Sequence, residues 1–338
     1  MMGAIKIKMS KPKLSIVLAT YQGERTIKKC LDSIFSQNYP KKLIEVLIID
    51  GGSKDKTLEI AKKYPIKIFN NFKKHSEGKG MGKSQGFDRA SSDFIIFIDQ
   101  DNVLLSKNWI NNILKPLLRD KDIYISGSKI TLIKDDNLIN KYLSMVGTDP
   151  FMTSFSIDGQ VSLNKRQFKK VDNFLVFRMN KDKWYIAGSN GYAYRKEDIE
   201  KIGGYSQDSD IIYKFANLNK KLAICLDAPL QHLNISKGLS EFIKKRDYHI
   251  KYFIRENSKN RVVKYFSPSM KGKLNIISHY LLSLALLPNL FVSIKNSIRD
   301  KQILWLLHPF MVVLTLLIYT RVILFSKEGL TYLKDNLL

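Results

Sequence analysis

Cysteine is scarce in this chain, which has 338 residues and carries only Cys30 and Cys225. The two lie far apart and fall into no spacing that is typical of a zinc site or a redox pair. This argues against a disulfide-stapled scaffold and favours two reduced thiols in a cytosolic protein. Residues 1–13 also lack the long apolar core of a signal peptide, so we expect a cytosolic N-terminus.

Acidic residues are in short supply: 31 Asp and Glu stand against 56 Lys and Arg, for a formal net charge of +25 at pH 7. Such an excess favours anionic partners, which include nucleic acid, anionic lipid and phosphorylated substrates. The basic residues are scattered or lie near the apolar C-terminal region, and no nucleic-acid reader motif occurs. We therefore expect membrane lipids and phosphorylated substrates as partners, and no nucleic acid.

The first part of the chain alternates short apolar runs with helical patterns. Four of these runs are strand candidates: residues 14–19, 44–49, 66–69 and 94–98. Strand and helix in repetition predict an α/β domain with a mainly parallel sheet, which we place at residues 13–238 after a basic tail at 1–12. Ligands of such sheets bind beyond the carboxyl ends of the strands, so the residues just after each strand are the candidate site.

The C-terminal part of the chain differs in character. Residues 239–273 are basic with interleaved apolar and aromatic side chains, and two apolar segments follow within 274–326, before a tail at 327–338. The second apolar segment, 303–325, is long enough to cross a membrane. Because a basic segment beside apolar helices suits the anionic cytosolic leaflet, we expect membrane attachment with the α/β domain facing the cytoplasm.

Two topologies of the apolar segments stay open. One is a spanning hairpin with both ends in the cytosol, and the other is a pair of re-entrant or interfacial helices. The connection at 295–302 carries Lys295, Arg299 and Lys301 against Asp300, and moving it across the membrane opposes the tendency of basic loops to stay in the cytosol. We predict the hairpin first and keep the interfacial arrangement as the alternative.

Two carboxylates follow the last strand candidate directly, in Asp99-Gln100-Asp101. Placed two residues apart on a turn, they can approach one hard cation, and Mg²⁺ is commonly held by one or two carboxylates together with substrate phosphates. A metal at this place would neutralise a diphosphate leaving group. The turn that begins at Asp50 offers glycines for a tight bend and a Ser or Asp side chain that can cap the next helix.

Three segments at strand ends resemble the hallmark motifs of glycosyltransferase family 2, in the family's order and with similar spacing: residues 15–24, 48–55 and 97–101. Residues 82–86 resemble the family's glycine-containing segment, and 188–195 with 203–205 resemble its acceptor-side motif. The resemblance covers about residues 13–235. It implies a GT-A fold, which is Rossmann-like with a mainly parallel sheet, and an inverting transfer from a UDP- or GDP-linked sugar.

The resemblance also implies roles for single residues. The implied nucleotide-sugar contacts are Thr20, Tyr21, Glu24, Asp50, Gly52, Lys83, Asp99 and Gln100. The implied ligands of Mg²⁺ or Mn²⁺ are Asp99, Asp101 and His232. The chain departs from the family pattern at Gln22, where asparagine is usual, and at Gly51, where a second aspartate is common. Neither departure replaces an implied metal ligand.

The catalytic base stays open between Asp208 and Asp210, which follow the glycine pair at 203–204. A base must reach the acceptor hydroxyl, and the alternative role of either side chain is to cap the helix that follows. Retention of this acidic pair predicts a hydroxyl acceptor on a lipid-linked saccharide or a surface glycan, with a polyprenyl phosphate as the alternative. The predicted acceptor contacts are Asp149, Trp184, Asn190 and Arg195.

Other classes of function stay open. A nucleotidyltransferase also uses strand-end carboxylates and a metal, but it usually needs a glycine-rich and basic phosphate loop that residues 20–25 do not supply. A non-catalytic scaffold or a nucleic-acid-binding protein built on this fold is the alternative of another class. Retention of both Asp99 and Asp101 argues against it.

Overall fold

The computed structural model describes residues 11–71, 81–147, 149–151, 168–181, 184, 190–254 and 270–337. Some of the predicted features lie outside these residues. They are nearly all of the N-terminal tail, residues 188–189 of the acceptor-side motif and residues 255–269 of the basic segment.

Strands and helices alternate through the first 232 residues as the apolar pattern predicts. The strands are β1 (Leu14–Thr20), β2 (Ile44–Asp50), β3 (Lys67–Asn70), β4 (Phe94–Asp99), β5 (Asn102–Leu104), β6 (Ile123–Ile130), β7 (Lys169–Val171), β8 (Phe174–Arg178), β9 (Tyr192–Arg195) and β10 (Lys221–His232). The helices between them are α1 (Ile27–Phe35), α2 (Thr57–Ala61), α3 (Met81–Arg89), α4 (Trp109–Arg119), α5 (Leu138–Val146), α6 (Lys196–Glu200) and α7 (Asp208–Asn217).

These strands form one mixed sheet in the order β3-β2-β1-β4-β9-β6-β10-β8-β7, and β5 pairs with β10 beside this path. The pairs β3–β2, β2–β1 and β1–β4 are parallel, as is β6–β10. β9 runs antiparallel between β4 and β6, and β7 and β8 add an antiparallel edge. The predicted α/β architecture with parallel strands is confirmed, and the antiparallel strands extend it where the sequence pattern was irregular.

Both faces of the sheet are covered, which explains why the strands read as continuous apolar runs. In β1, Ile16 and Leu18 pack into the core cluster that contains α1 and α4, whereas Val17 packs into the cluster that contains α3 and α7. At Gly86 in α3, a Cβ atom would lie 2.3 Å from Cγ1 of Val17. The glycine therefore lets α3 approach the sheet closely enough to bring its N-terminal turn to the carboxyl end of β1.

The C-terminal part is helical: α8 (Leu239–Tyr252), α9 (Met270–Leu284), α10 (Leu286–Asp300), a short 3-10 helix (Ile303–Leu307), α11 (His308–Phe325) and α12 (Lys327–Leu337). Within the described residues, one helical stretch, Ile303–Phe325, is long and apolar enough to cross a membrane, and 44% of its apolar window is buried inside the protein. The pair α9–α10 passes the same test only as one span broken by a bend of 79°.

Candidate active site

Three strand ends meet at one edge of the sheet. Thr20 at the end of β1 pairs in register with Asp50 at the end of β2, and Ala19 pairs with Asp99 at the end of β4. The motifs that follow these strands are therefore brought together, as expected for a parallel sheet whose strands end at a shared edge.

The carboxylate of Asp50 is used inside its own turn. One oxygen accepts hydrogen bonds from the Thr20 hydroxyl at 3.2 Å and the Ser53 hydroxyl at 2.6 Å. The other accepts from the backbone N–H groups of Gly52 at 2.9 Å and Ser53 at 2.8 Å. Asp50 is only 2% exposed, and Gly52 adopts a φ of 91° that favours glycine. Asp50 therefore shapes the turn, and its oxygens are already engaged where the sequence predicted a nucleoside contact.

Gln100 joins the first and fourth strand ends. Its side-chain oxygen accepts from the N–H of Tyr21 at 3.0 Å, and its amide nitrogen donates to the carbonyl of Tyr21 at 2.9 Å. A Cβ atom at Gly23 would lie 2.3 Å from the Gln100 side-chain oxygen, so only glycine leaves room for this pairing. Gln100 thus fixes the backbone beside Tyr21, whose half-buried ring lies next to the site. Glu24, on the same loop, is exposed and accepts a hydrogen bond from the Lys56 N–H at 3.0 Å.

A buried lysine links the strand edge to α7. The Lys83 ammonium, 3% exposed, lies 2.9 Å from Asp99 Oδ1 and 3.1 Å from Asp208 Oδ2. Burial alone would lower the pKa of Lys83, but the carboxylates of Asp208 and Asp99 outweigh it and raise that pKa. Tyr205 donates its hydroxyl proton to the other oxygen of Asp208. Lys83 stays charged and holds Asp99 and Asp208 on either side of it.

Asp101 and His232 form the second polar pair of the site. His232 pairs with Asn102 across the antiparallel β5–β10 ladder, and its Nε2 lies 3.3 Å from Asp101 Oδ2. Burial would raise the pKa of Asp101, but the neighbouring His232 lowers it. Burial, with the nearby Asp101 and Asp208 carboxylates, raises the pKa of Asp99 despite its contact with Lys83.

The implied three-ligand metal set is only partly assembled. In the part of the chain that the structure describes, no group of three or more His, Cys, Asp or Glu side chains converges as a metal site. Asp99 is paired with Lys83, whereas Asp101 is paired with His232. The 3.3 Å between Asp101 and His232 is close to the distance of about 3 Å between adjacent ligands of an octahedral cation bound at about 2.1 Å. The donor set therefore fits a cation held by two protein ligands and completed by phosphate oxygens.

The structure distinguishes the two aspartates that the sequence left open as catalytic base. Both lie in the first turn of α7, where the helix dipole stabilises negative charge. Asp208 is partly exposed, and Lys83 connects it directly to Asp99. Asp210, two residues further along the helix, is only 2% exposed. Asp208 is therefore linked to the carboxylate at the end of β4 through Lys83.

Two of the predicted acceptor contacts lie near this edge. Asn190 precedes Gly191, whose N–H donates to the Phe97 carbonyl near the end of β4 at 2.9 Å. Among the described residues, the side-chain oxygen of Asn190 is buried without a hydrogen-bond partner. Trp184 is half-buried and packs edge-to-face on Tyr213 of α7, with ring centroids 5.3 Å apart. The contact of Asn190 and Trp184 with an acceptor stays a prediction.

Arg195 does not lie in this site. It pairs with Phe94, so it is at the opposite end of β4 from Asp99. Its guanidinium forms an ion pair with Asp198 at 2.7 Å and donates to the carbonyls of Leu117, Lys121 and Ile123. The prediction of an acceptor contact at Arg195 is wrong, because antiparallel pairing of β9 carries the side chain away from the strand ends.

Asp149 is likewise engaged elsewhere. One of its oxygens accepts from Arg246 of α8 at 2.7 Å and from the hydroxyl of Tyr319 in α11, and the other accepts from the Phe151 N–H at 2.9 Å. Asp149 thus joins α8 to α11. Asp149 makes this buried link in place of the predicted acceptor contact. The sequence did not predict the link, because its partners are 97 or more residues away along the chain.

The sequence prediction missed Lys245. This side chain of α8 is mostly withdrawn from water, and its ammonium donates to both oxygens of Asn234, two residues beyond His232. Burial lowers the pKa of Lys245, while the nearby Asp101 and Asp99 carboxylates act in the opposite direction. The basic composition of 239–273 indicated an anion-binding segment but not that one of its lysines faces the strand edge.

A second contact holds α8 against the site. Glu241 forms an ion pair with Arg25 of the loop after β1 at 3.0 Å and accepts from the N–H groups of Ser236 and Lys237, both at 2.7 Å. Burial would raise the pKa of Glu241, but these backbone donors and Arg25 lower it to about 2. The helix that follows β10 is therefore part of the wall of the site.

Comparison with known proteins identifies the family. The model of glycosyl transferase family 2 matches residues 15–203, more than half of the chain. Poly(ribitol-phosphate) β-N-acetylglucosaminyltransferase TarS of Staphylococcus aureus is 32% identical over 127 residues, which cover 36% of this chain and 21% of that protein. The O-antigen chain rhamnosyltransferase RfbN of Salmonella typhimurium is 26% identical over 238 residues, which cover 68% of this chain and 69% of that protein. The chain thus spans about a fifth of the length of TarS.

Solved structures show the same fold. The mannosyltransferase PcManGT from Pyrobaculum calidifontis, in complex with GDP-Man and Mn²⁺, superposes with a TM-score of 0.54 at 14% identity, over 92% of this chain and 88% of that one. Residues 1–349 of Staphylococcus aureus TarS, in complex with UDP-GlcNAc, give a TM-score of 0.51 at 16% identity, over 96% of this chain and 80% of that one. The chain belongs to glycosyltransferase family 2 and has the GT-A fold.

Proposed function

We propose that this protein transfers a sugar from a nucleoside diphosphate sugar to a membrane-proximal acceptor, with inversion at the anomeric carbon and with the help of Mg²⁺ or Mn²⁺. The observation that carries the proposal is the edge of the sheet where Lys83 joins Asp99 to Asp208 and Asp101 faces His232. Family membership supports it. So do the ligands of two proteins of the same fold, GDP-Man with Mn²⁺ and UDP-GlcNAc.

Asp101 and His232 are the residues that would hold the metal, together with oxygens of the donor diphosphate. A bound divalent cation would neutralise the charge that develops on the leaving diphosphate. Asp99 and Lys83 would orient the ribose and phosphates beside the Asp50 turn. Lys245 would add a positive charge on the α8 side of the same diphosphate.

Asp208 is our choice for the general base. In a single displacement, an acceptor hydroxyl oxygen forms a bond to the anomeric carbon as the bond from that carbon to the diphosphate breaks. The hydroxyl proton passes to the Asp208 carboxylate, and the nucleoside diphosphate leaves. Lys83 supports this role because its charge favours an ionised carboxylate at Asp208 before the proton arrives.

The acceptor that we propose is a hydroxyl of a lipid-linked saccharide or a surface glycan. Relatives named for poly(ribitol-phosphate) and for O-antigen chains support a cell-envelope glycan. A polyprenyl phosphate is the second candidate. Its phosphate oxygen is already ionised and needs no base, so the two candidates differ in their dependence on Asp208.

The test is a donor screen with purified full-length protein in detergent. UDP- and GDP-linked sugars are offered with Mn²⁺ or Mg²⁺, and release of the nucleoside diphosphate is measured beside Asp101→Asn. We expect metal-dependent turnover of one donor and its loss in the variant. A folded protein that binds no sugar nucleotide would instead support the scaffold or nucleic-acid-binding alternatives.

A matched pair of variants tests the base. Asp208→Asn should keep donor binding but lower transfer to a hydroxyl acceptor by about 10²- to 10⁴-fold, the range of general-base catalysis. Asp210→Asn is the control in the same helical turn, and we expect it to retain transfer wherever it folds. The reverse pattern would assign the base to Asp210, and unchanged transfer in both would favour a phosphate acceptor.

A further inference from the structure

The apolar helix α11 packs against α8 and the neighbouring C-terminal helices, and near each of its ends it also contacts a residue that precedes α8. At its start, Nδ1 of His308 is 2.7 Å from the Tyr142 hydroxyl of α5. Near its end, the Tyr319 hydroxyl contacts Asp149, and Arg321 forms an ion pair with Asp247 of α8. These polar contacts are made with parts of the chain that precede the apolar segments.

The length over which these contacts extend argues against a transbilayer position. From 308 to 321 a helix rises about 20 Å, at about 1.5 Å per residue, whereas the apolar core of a bilayer is about 30 Å thick. The partner helix α8 carries Lys244, Asp247 and Lys251, which are charged groups that a lipid core would not accept beside a spanning helix. Between these polar contacts Met311, Val312, Leu316 and Ile318 are buried, so protein covers one face of α11 over most of its length.

The other side of the C-terminal helices is apolar and exposed. On α11, Phe310, Leu317 and Leu324 are spaced seven residues apart, so they form one stripe along the helix. On α10, Phe291 and Ile298 are the most exposed apolar side chains, at 71% and 74%. Further exposed apolar side chains on α9, α10 and the 3-10 helix are Ile277, Leu281, Leu282, Leu286, Leu290 and Ile303.

Basic side chains flank this apolar surface. Lys295 on α10, Lys301 directly after it and Lys327 at the start of α12 are exposed and close in sequence to these apolar residues, whereas Arg299 forms an ion pair with Asp300. An apolar face bordered by lysine and arginine is the pattern of a helix that lies in the interface of an anionic membrane. The net charge of +25 acts in the same direction.

We propose that α9, α10 and α11 lie flat in one leaflet of an anionic membrane and do not span it. The inference rests on the membrane-proximal acceptor of the proposed function, and it replaces the spanning hairpin that we took first from the sequence. Because α8 contacts both α11 and the site, through Arg321–Asp247 on one side and Glu241–Arg25 on the other, this arrangement holds the active site beside the lipid headgroups.

Cysteine labelling in membranes tests the topology. The full-length chain is expressed in bacterial cells, and inverted inner-membrane vesicles, which expose their cytosolic face, are treated with a membrane-impermeant maleimide. Lys301→Cys reports the connection between α10 and α11, and Lys63→Cys, at an exposed position in the turn after α2, is the matched control. Cys30 and Cys225 are both buried, so the unsubstituted protein is the blank.

We expect both variants to be labelled without detergent, with no gain when detergent is added. Labelling of Lys301→Cys only after detergent, with Lys63→Cys labelled throughout, would mean that the connection crosses the membrane and would overturn the proposal. The proposal would also be overturned if the protein were found outside the membrane fraction as a dimer in which a second copy covers the apolar face.

A pair of identical substitutions tests which surface meets the lipid. Leu286→Asp, on the exposed face of α10, should lower binding to phosphatidylglycerol vesicles by about tenfold or more, because it removes a leucine from the lipid contact. Leu118→Asp places the same change on an exposed leucine of α4 and should leave vesicle binding unchanged. Equal effects of the two variants would contradict the proposal. Donor hydrolysis in solution by Leu286→Asp, measured on the same sample, separates a failure of this inference from a failure of the proposed function.

Discussion

Replacing Lys83 by methionine removes the charge between Asp99 and Asp208 while keeping the length of the side chain. Removing one partner of a buried ion pair lowers the free energy of unfolding by about 3–5 kcal/mol, because it leaves an uncompensated buried charge. Here the side chains of Asp99 and Asp208 keep 32% and 25% exposure, so water can partly rehydrate them. We therefore expect Lys83→Met to lower the free energy of unfolding by about 2–4 kcal/mol.

Chemical denaturation monitored by circular dichroism measures this loss, and a surface pair supplies the control. Lys28 and Asp32 are 2.7 Å apart, but their side chains are 67% and 52% exposed. Lys28→Met should therefore change the free energy of unfolding by less than about 1 kcal/mol, the usual range for exposed pairs. If Lys83→Met and Lys28→Met lowered the free energy of unfolding by similar amounts, burial could not be the reason that the Lys83 ion pairs stabilise the protein.

A double variant separates the loss of charge compensation from the loss of packing. If an unpaired carboxylate causes the destabilisation, Asp208→Asn should partly restore stability in the Lys83→Met background, with a coupling of about 1 kcal/mol or more. Strictly additive effects would show that Lys83 contributes through packing alone. Donor binding by the same set of variants would then show whether Lys83 also contacts the phosphates.

Three further predictions concern the loops and helix that surround the site. Gly23→Ala should break the pairing made by Gln100 and destabilise the protein by about 1–3 kcal/mol in a denaturation assay, and adding Gln100→Ala should relieve the clash. Lys245→Met should raise KM for the donor more than it lowers kcat, and an unchanged KM would exclude Lys245 from diphosphate binding. Although burial would raise it, the pKa of Glu241 in the folded protein is lowered to about 2, chiefly by the backbone N–H groups of Lys237 and Ser236 and then by Arg25. The ionised side chain therefore contributes stability above pH 4.5 that is lost as the pH falls towards 2, and Glu241→Gln should flatten the free energy of unfolding over that window.

Much of the fold could be predicted because it is encoded locally. The apolar runs of β1, β2 and β4 and the helical patterns between them appear in the structure at nearly the predicted places. Parallel strands that are buried on both faces read as continuous apolar runs, and their carboxyl ends share one edge of the sheet. The strand-end motifs were therefore correctly expected to come together around Asp50 and Asp99.

The roles of single side chains were harder to predict, because the hydrogen-bond partners of a polar group are often distant in sequence. Asp50 turns its oxygens into its own loop, and Gln100 pairs with the backbone of Tyr21, although the family pattern marks both as donor contacts. Arg195 lies at the opposite end of β4 from Asp99, because β9 runs antiparallel to β4. The apolar pattern of the sequence did not predict this strand.

The family, the α/β framework and the edge of the sheet that carries the site could all be predicted from the sequence, because periodicity and strand-end motifs are local properties of the chain. The contact of Lys83 with Asp208, across 125 residues, and the position of Lys245 near Asp101 follow from the tertiary structure alone. The tertiary structure also decided that α11 packs along α8 and that its first residue, His308, contacts Tyr142 of α5. These outcomes depend on how elements that are distant in sequence pack together. The hydropathy of a helix gives its apolar content but does not show which of its faces packs against the rest of the protein.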